Sequence, residues 1–326
     1  MTKVLIAPAQ LAGIEAGFLN VLKNAGFELV FPKKRAQLTE DELFEQLADI
    51  RASIAGSEPY TRRVLQAHPQ LRVIARAGVG FDAVDTAAAT DLGMAVTITP
   101  GTNQDSVAEH TFALILALAK SIVSQHLGTC AHKWPRQANL PLRGRTLGIA
   151  GLGRIGKAVA ERGKCFKMKL LAYEPFPDHA FAKEYGITFV SFEQLLAESD
   201  FLTLHMPATK EARHLMNRET LAKMKPGSFL INTARGSLVN EADLIAALEL
   251  KRLAGAAIDV FEEEPPGDSK LFRMSNVVVT PHAAGVDLQS RDDMALSAAQ
   301  AIVSLSRGEW PAEKVVNPEV KAKYRW

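Results

Sequence analysis

TLGIAGLGRIGKAVAERGKCFKMKLLAYE, residues 146–174, reads in order as strand, tight turn, helix, strand and acid. Thr146 to Ala150 is a short apolar run of the kind buried in a parallel sheet, and it leads straight into Gly151-x-Gly153-x-x-Gly156. Gly151 permits a sharp turn, Gly153 leaves bare backbone for a pyrophosphate, and Gly156 lets the next helix pack close on the strand. That helix is expected over Ile155 to Phe166. Its N-terminal end, at Ile155 with Arg154 just before it, places free amides and the positive end of the helix dipole toward the same anion. Lys169 to Tyr173 is a second apolar run ending at Glu174, 18 residues after Gly156, where a ribose hydroxyl would be held. Glu174 repels a 2′-phosphate, and Pro175 to Asp178 contains no Lys or Arg to receive one, so the expected cofactor is NAD. A glycine turn alone is common punctuation between strand and helix. The weight rests on strand, helix, second strand and acid agreeing.

Upstream, strand and helix alternate: Val4 to Ala7, a helix toward Ala25, Glu28 to Phe31, a helix from Thr39, then Ser53 to Ala55. Thr39-x-x-Glu42 matches a capping box, and Leu43 and Leu47 follow at helical spacing. A helix near Thr61 to Ala67 precedes a strand, Leu71 to Ala75, that runs into Arg76-Ala77-Gly78-Val79-Gly80-Phe81-Asp82. Glycines at the carboxyl end of a strand suit ligand access in an open α/β sheet, although an ordinary turn reads the same way. Asp85 to Leu92 reads as helix and Ala95 to Ile98 as strand. Pro100-Gly101 then breaks the chain before a long helix, Ser106 to Leu127, expected as the domain crossing.

At 326 residues and 47% hydrophobic content the chain is long enough for two domains, each with a core. A net charge of +2 leaves no basic footprint for nucleic acid, and Lys33-Lys34-Arg35 reads as a solvated loop. Cys130 and Cys165 have neither metal nor redox spacing, so no metal site is expected and a reduced, cytoplasmic setting fits. Thr111 to Ala119, the longest weakly polar run, is too short to span a bilayer. No membrane partner is expected.

Downstream of Glu174, strands are expected at Phe201 to His205, Ser228 to Asn232, Ala254 to Asp259 and Val277 to Thr280. With the first two they make six, enough for a full dinucleotide-binding domain. The last three end in Asn232-Thr233-Ala234-Arg235-Gly236, in Asp259 followed by Val260 to Pro265, and in Thr280-Pro281-His282-Ala283-Ala284-Gly285. A nicotinamide enzyme acting on a 2-hydroxy acid needs a cation for the carboxylate and a group that moves a proton. Arg235 suits the first, being permanently charged and able to bind a carboxylate bidentately. His282 suits the second because imidazole titrates near neutrality. Glu264 is the candidate for orienting its ring. Singly, an Arg before Gly, a Pro-His pair and an acidic run at Glu262 to Glu264 read as surface features. The other histidines show no comparable partner in the sequence, and His205 suits either the cofactor groove or a structural role. Trp134 and Phe166 read as packing residues.

The motifs RAGVGFDAVD, PGTNQDSVAEHT, GLGRIG, LHMPAT, INTARGSLVNE, DVFEEEP and TPHAAG, in this order, resemble the D-isomer-specific 2-hydroxyacid dehydrogenases, in their phosphoglycerate-dehydrogenase-like branch. The resemblance covers nearly the whole chain. It implies an α/β protein of two doubly wound parallel-sheet domains, a Rossmann NAD-binding domain over 100–286 inserted into a flavodoxin-like substrate domain over 1–99 and 287–326. A helix from about Gln289 to Leu305 makes the return, and the active site falls in the cleft between domains. The implied catalytic set is Arg235, Glu264 and His282, with Arg76, Gly78, Val79, Gly80, Arg235 and His282 at the substrate and the amides of Val79 and Gly80 on its carboxylate. Implied cofactor contacts add His205, Pro207, Thr233, Ala234, Arg235, Asp259, His282 and Gly285 to those of the glycine loop. A homodimer using the helix after Pro100 is implied, and a regulatory extension is not.

Hydride transfer between NAD and a D-2-hydroxy acid or its 2-oxo acid is the expected activity. Arg76, just before the glycine loop, is placed to meet a second anionic group, which favours a 3-phosphoglycerate-like substrate. Bracing of the loop by Arg76 is the competing reading. Glyoxylate or hydroxypyruvate reduction and phosphite oxidation are alternatives within the fold, and an NAD-sensing corepressor-like binding protein is the alternative outside enzymology.

Overall fold

The computed structural model describes residues 1–134 and 136–326. Among them the chain forms twelve strands and twelve α-helices, divided into two compact units, Met1–Asn103 with Val286–Trp326 and Gln104–Gly285.

The first unit contains β1 (Thr2–Ile6), α1 (Gly17–Asn24), β2 (Phe27–Val30), α2 (Glu40–Gln46), β3 (Ile50–Ala55), α3 (Arg62–Ala67), β4 (Val73–Arg76), α4 (Thr86–Asp91), β5 (Ala95–Thr97) and the last helix of the chain, α12 (Leu288–Ser306). Its five strands are all parallel in the order β2-β1-β3-β4-β5, the flavodoxin-like arrangement. The central strands are covered on both faces, which is why Val4, Leu5 and Ile6 are consecutive and all fully buried. The capping box at α2 forms as its spacing requires: the Glu42 amide donates to Thr39 Oγ1 at 3.3 Å, and the Thr39 amide to Glu42 Oε2 at 2.8 Å. α12 packs Ala295, Ala298, Ala299 and Ile302 into the core cluster that holds Val4 and Ile6. The C-terminal segment is tied to β5 by Asn317, whose Oδ1 accepts from the Val96 amide at 2.9 Å while its Nδ2 donates to Met94 O at 2.9 Å.

The second unit contains α5 (Gln104–Ala119), α6 (Ile122–Cys130), β6 (Thr146–Ala150), α7 (Arg154–Cys165), β7 (Lys169–Tyr173), α8 (His179–Tyr185), β8 (Ile187–Phe189), α9 (Phe192–Glu198), β9 (Phe201–Leu204), α10 (Arg218–Lys223), β10 (Phe229–Asn232), α11 (Glu241–Glu249), β11 (Gly255–Ile258) and β12 (Val277–Val279). Its seven parallel strands run β12-β11-β10-β9-β6-β7-β8, so the order reverses beside β6 and the glycine turn sits at that switch point. Gly156 is required there by contact: a Cβ on it would lie 2.1 Å from Gly151 O.

Two expectations change. The helix expected over Ser106 to Leu127 is two helices meeting at 60°, with Ser121 in the left-handed region at φ 51°. Ala119 O accepts from the Leu140 amide at 3.0 Å and Lys120 O from Gln125 Nε2 at 2.6 Å, so neither carbonyl continues the ladder. The sheet also has a seventh strand, β8, which is three residues long at an edge and too short to show a period. Among the described residues no single helix is long and apolar enough to cross a membrane.

Candidate active site

In the second unit, the turn after β6 presents the amides of Gly153, Arg154 and Ile155 with no acceptor among the described residues, at the N-terminus of a twelve-residue helix. A Cβ on Gly153 would meet nothing within 4 Å, so the backbone there is open to a close-lying anion. Glu174 caps β7 with both oxygens engaged: Oε2 accepts from the Leu152 amide at 2.7 Å and Oε1 from the Phe176 amide at 3.0 Å. The acid is thereby held against the glycine turn before any ligand arrives. On α7, Lys157 Nζ is bonded to Asp178 at 2.6 Å. These features fit a dinucleotide with an unmodified ribose.

His205 and Pro207 follow the end of β9. The Nε2 of His205 shares a hydrogen bond with Thr203 Oγ1 at 2.9 Å, and its covered Nδ1 has no partner among the described residues. Burial pushes its pKa down to about 3, so the ring stays neutral and is too weak a base for proton transfer near neutrality.

Arg235, Glu264 and His282 lie beyond β10, β11 and β12, where the parallel sheet gathers its strand ends. His282 Nδ1 is 2.6 Å from Glu264 Oε2. Burial pushes the Glu264 carboxyl up, but the hydrogen bond and charge of His282, the Phe261 amide and the Arg235 guanidinium outweigh it and hold the group below its usual range. An ionised carboxylate only accepts, so Nδ1 carries the proton and Nε2 is left for a ligand. Arg235 Nη1 donates to Ala234 O at 2.6 Å, and Asn232 Nδ2 to Arg235 O at 2.8 Å. Gly236 explains how this strand end reaches the Glu264 loop, since a Cβ there would lie 1.8 Å from Phe261 O. No larger residue permits that approach.

The backbone of His282 is left-handed, at φ 51°. Asp259 holds it there. Its O accepts from the His282 amide at 2.8 Å, and its fully buried carboxylate accepts from Thr280 Oγ1 at 2.5 Å and from the amides of Ala283 and Ala284 at 2.9 and 3.0 Å. The structure therefore gives Asp259, named for cofactor contact, a loop-shaping carboxylate. Thr233 likewise spends its hydroxyl on Thr111 Oγ1 at 3.0 Å. Ala234 and Gly285 lie partly buried in the same two loops.

Sequence reasoning missed Asn232, Asp259 as a clamp, and two histidine partners. His214 pairs with Glu262 at 2.5 Å, and His110 Nε2 lies 3.1 Å from Thr280 Oγ1 and 3.6 Å from Asp259. These pairings bridge 48 and more residues of sequence, so no local spacing announces them.

In the first unit, Arg76 ends β4 and is only 8% exposed, with Nε donating to Gly80 O at 2.8 Å. Gly78 exchanges bonds with Thr99, its amide donating to Oγ1 at 3.0 Å and its O accepting from the Thr99 amide at 3.0 Å. That engages the Gly78 backbone within its own loop. The amides of Val79 and Gly80 have no acceptor among the described residues and remain suited to it.

Residues 112–284 match the family model described as the NAD binding domain of D-isomer specific 2-hydroxyacid dehydrogenase. The chain belongs to this family. It is 39% identical over 302 residues to a glyoxylate reductase of Korarchaeum cryptofilum, covering 90% of this chain and 91% of that one. It is 37% identical to a D-3-phosphoglycerate dehydrogenase of Synechocystis sp., covering all of this chain but 58% of the longer relative. Its fold superposes on an NAD-dependent formate dehydrogenase from Staphylococcus aureus in complex with NAD with a TM-score of 0.85 at 30% identity, covering 97% of this chain and 99% of that one. The protein is accordingly an NAD-dependent oxidoreductase of the D-2-hydroxyacid dehydrogenase family, built on two parallel α/β sheets.

Proposed function

We propose that this D-2-hydroxyacid dehydrogenase acts on a small unphosphorylated 2-oxo acid of the size of glyoxylate or hydroxypyruvate and on the corresponding D-2-hydroxy acid. The observation that carries this reading is Arg76, which is buried and bonded to Gly80 O as a brace of its own loop. A 3-phosphoglycerate-like substrate is the second reading, favoured by the match of this whole chain to 58% of the Synechocystis relative.

NAD supplies the hydride acceptor, or in its reduced form the donor, at the substrate carbon. Arg235 provides the charge for the substrate carboxylate; in the first unit the amides of Val79 and Gly80 are donors suited to an anion. His282 Nε2 takes the hydroxyl proton in oxidation and returns it in reduction, while Glu264 on Nδ1 fixes the ring and stabilises its charged form. Gly153, Arg154 and Ile155 hold the pyrophosphate, and Glu174 the ribose.

A panel of 3-phosphohydroxypyruvate, hydroxypyruvate, glyoxylate and pyruvate as hydride acceptors, with phosphite as a donor, tests the reading when run with each cofactor. Hydroxypyruvate or glyoxylate gives the highest kcat/KM, and NADP trails NAD until Glu174→Ala narrows the gap. A preference for 3-phosphohydroxypyruvate overturns the substrate class.

We infer a homodimer from α6. No residue of that helix is buried, and Ile122, Val123 and Leu127 are exposed on it, as is Trp134 beyond at 78%. Trp134 is thus not a packing residue within one chain, whereas Phe166 does stack, on Phe112 at 5.2 Å. An apolar helix left bare is the surface a second copy covers. Sedimentation gives a dimer for the parent and a monomer for Ile122→Asp with Leu127→Asp; a monomeric parent refutes the inference.

A further inference from the structure

β3 ends at Ala55, paired in register with Arg76 of β4, and the chain then turns through Gly56, Ser57 and Glu58. Gln37 Nε2 pins that turn by donating to Ser57 O at 2.8 Å. Glu58 is 2% exposed, and its Oε2 accepts from the Gly56 amide at 2.5 Å. Gly56 is packed so closely that a Cβ on it would lie 2.9 Å from Glu58 Oε1. Behind it Tyr60 is fully buried, its hydroxyl 2.7 Å from Ser53 Oγ. Backbone bonds join this turn to the segment after the glycine loop: the Tyr60 amide donates to Ala83 O at 2.8 Å, and the Asp85 amide to Tyr60 O at 2.9 Å. The segment after the Glu58 turn and the segment after the Arg76 loop are therefore bonded to one another.

Burial pushes the Glu58 carboxyl above its usual range, opposed by its own amide, the Gly56 amide and the Arg76 guanidinium. A carboxylate buried this deeply is tolerated when a cation stands near it, and Arg76 is the cation whose charge reaches it. The Arg76 guanidinium thus has a buried carboxyl near it within the first unit, three residues beyond its strand partner Ala55.

We propose that Glu58 is a specificity-determining residue, a positioning and charge-balancing partner of Arg76 that sets the site for 2-oxo acids with an uncharged far end and disfavours phosphorylated ones. A dianionic phosphate brought to Arg76 meets the Glu58 carboxylate as a like charge beside it, whereas a hydrogen, methyl or hydroxyl group meets no such repulsion. The proposal rests on the substrate placement given under Proposed function and names its class more closely.

Glu58→Gln tests it, because the amide oxygen still accepts from Gly56 while the charge is gone. The ratio of kcat/KM for 3-phosphohydroxypyruvate over hydroxypyruvate is the readout, with inorganic phosphate as a competitive inhibitor beside it. The ratio rises by about tenfold or more, the effect of removing one close like charge, and phosphate inhibits more strongly. Glu58→Met supplies a second uncharged side chain of similar length should the glutamine variant not fold, as judged by Tm. An unmoved ratio, or equal losses on every acceptor, overturns the role of Glu58. A parent enzyme that already prefers the phosphorylated acceptor overturns the substrate reading instead, and the change of ratio still decides Glu58.

Discussion

Replacing His282 with alanine lowers kcat by about 10²- to 10⁴-fold, the usual worth of a positioned acid-base group. Neither His205 nor His214 takes over. Burial pushes the pKa of His205 down to about 3, and His214 is committed to Glu262 at 2.5 Å. NAD affinity stays near that of the parent, since the amides of Gly153, Arg154 and Ile155 and the Glu174 carboxylate are untouched. Steady-state rates with fluorescence titration of the reduced cofactor check both halves; a loss below about tenfold removes His282 from the proton-transfer role. Glu264→Gln adds a signed test. The parent carboxylate is held below its usual range and is ionised across the working pH, so it favours the protonated ring on its Nδ1. With a neutral amide in its place, the histidine-dependent limb of the pH–rate profile moves to lower pH in both directions of reaction. An unmoved limb assigns the orienting role to another acid.

Arg235→Ala lowers kcat/KM by on the order of two orders of magnitude, about 3 kcal/mol for a charge-assisted contact removed from a partly buried site. Arg235→Lys recovers only part, because an ammonium lacks the planar fork that grips a carboxylate at two points. The loss falls on substrate and spares cofactor affinity. If the lysine variant matches the parent, bidentate recognition by Arg235 is refuted.

The glycine turn and the acid after it were legible because their constraint is local: Gly156 touches Gly151 five residues away, and Glu174 lies one strand on. The Arg, Glu and His at the ends of β10, β11 and β12 were legible for a topological reason, since parallel strands deliver their carboxyl ends to one edge. The break at Ser121 was not, because it depends on Leu140 and Gln125 claiming the carbonyls that would have continued the helix. Nor was the edge strand Ile187–Phe189, where three residues carry no period.

By itself the sequence determined the α/β class, the switch-point glycines, the acid that ends the second strand and the Arg, Glu and His that stand beyond the last three strands, all consequences of short-range spacing and chemical identity. Only the tertiary structure decided which groups are already spoken for. The Gly78 amide belongs to Thr99, the Asp259 carboxylate to the loop of His282, and the Arg76 Nε to Gly80 O. Hydrogen-bond partners and buried charge balance join residues far apart in the chain, and a side chain's availability for chemistry is set by those partners once folding has brought them together.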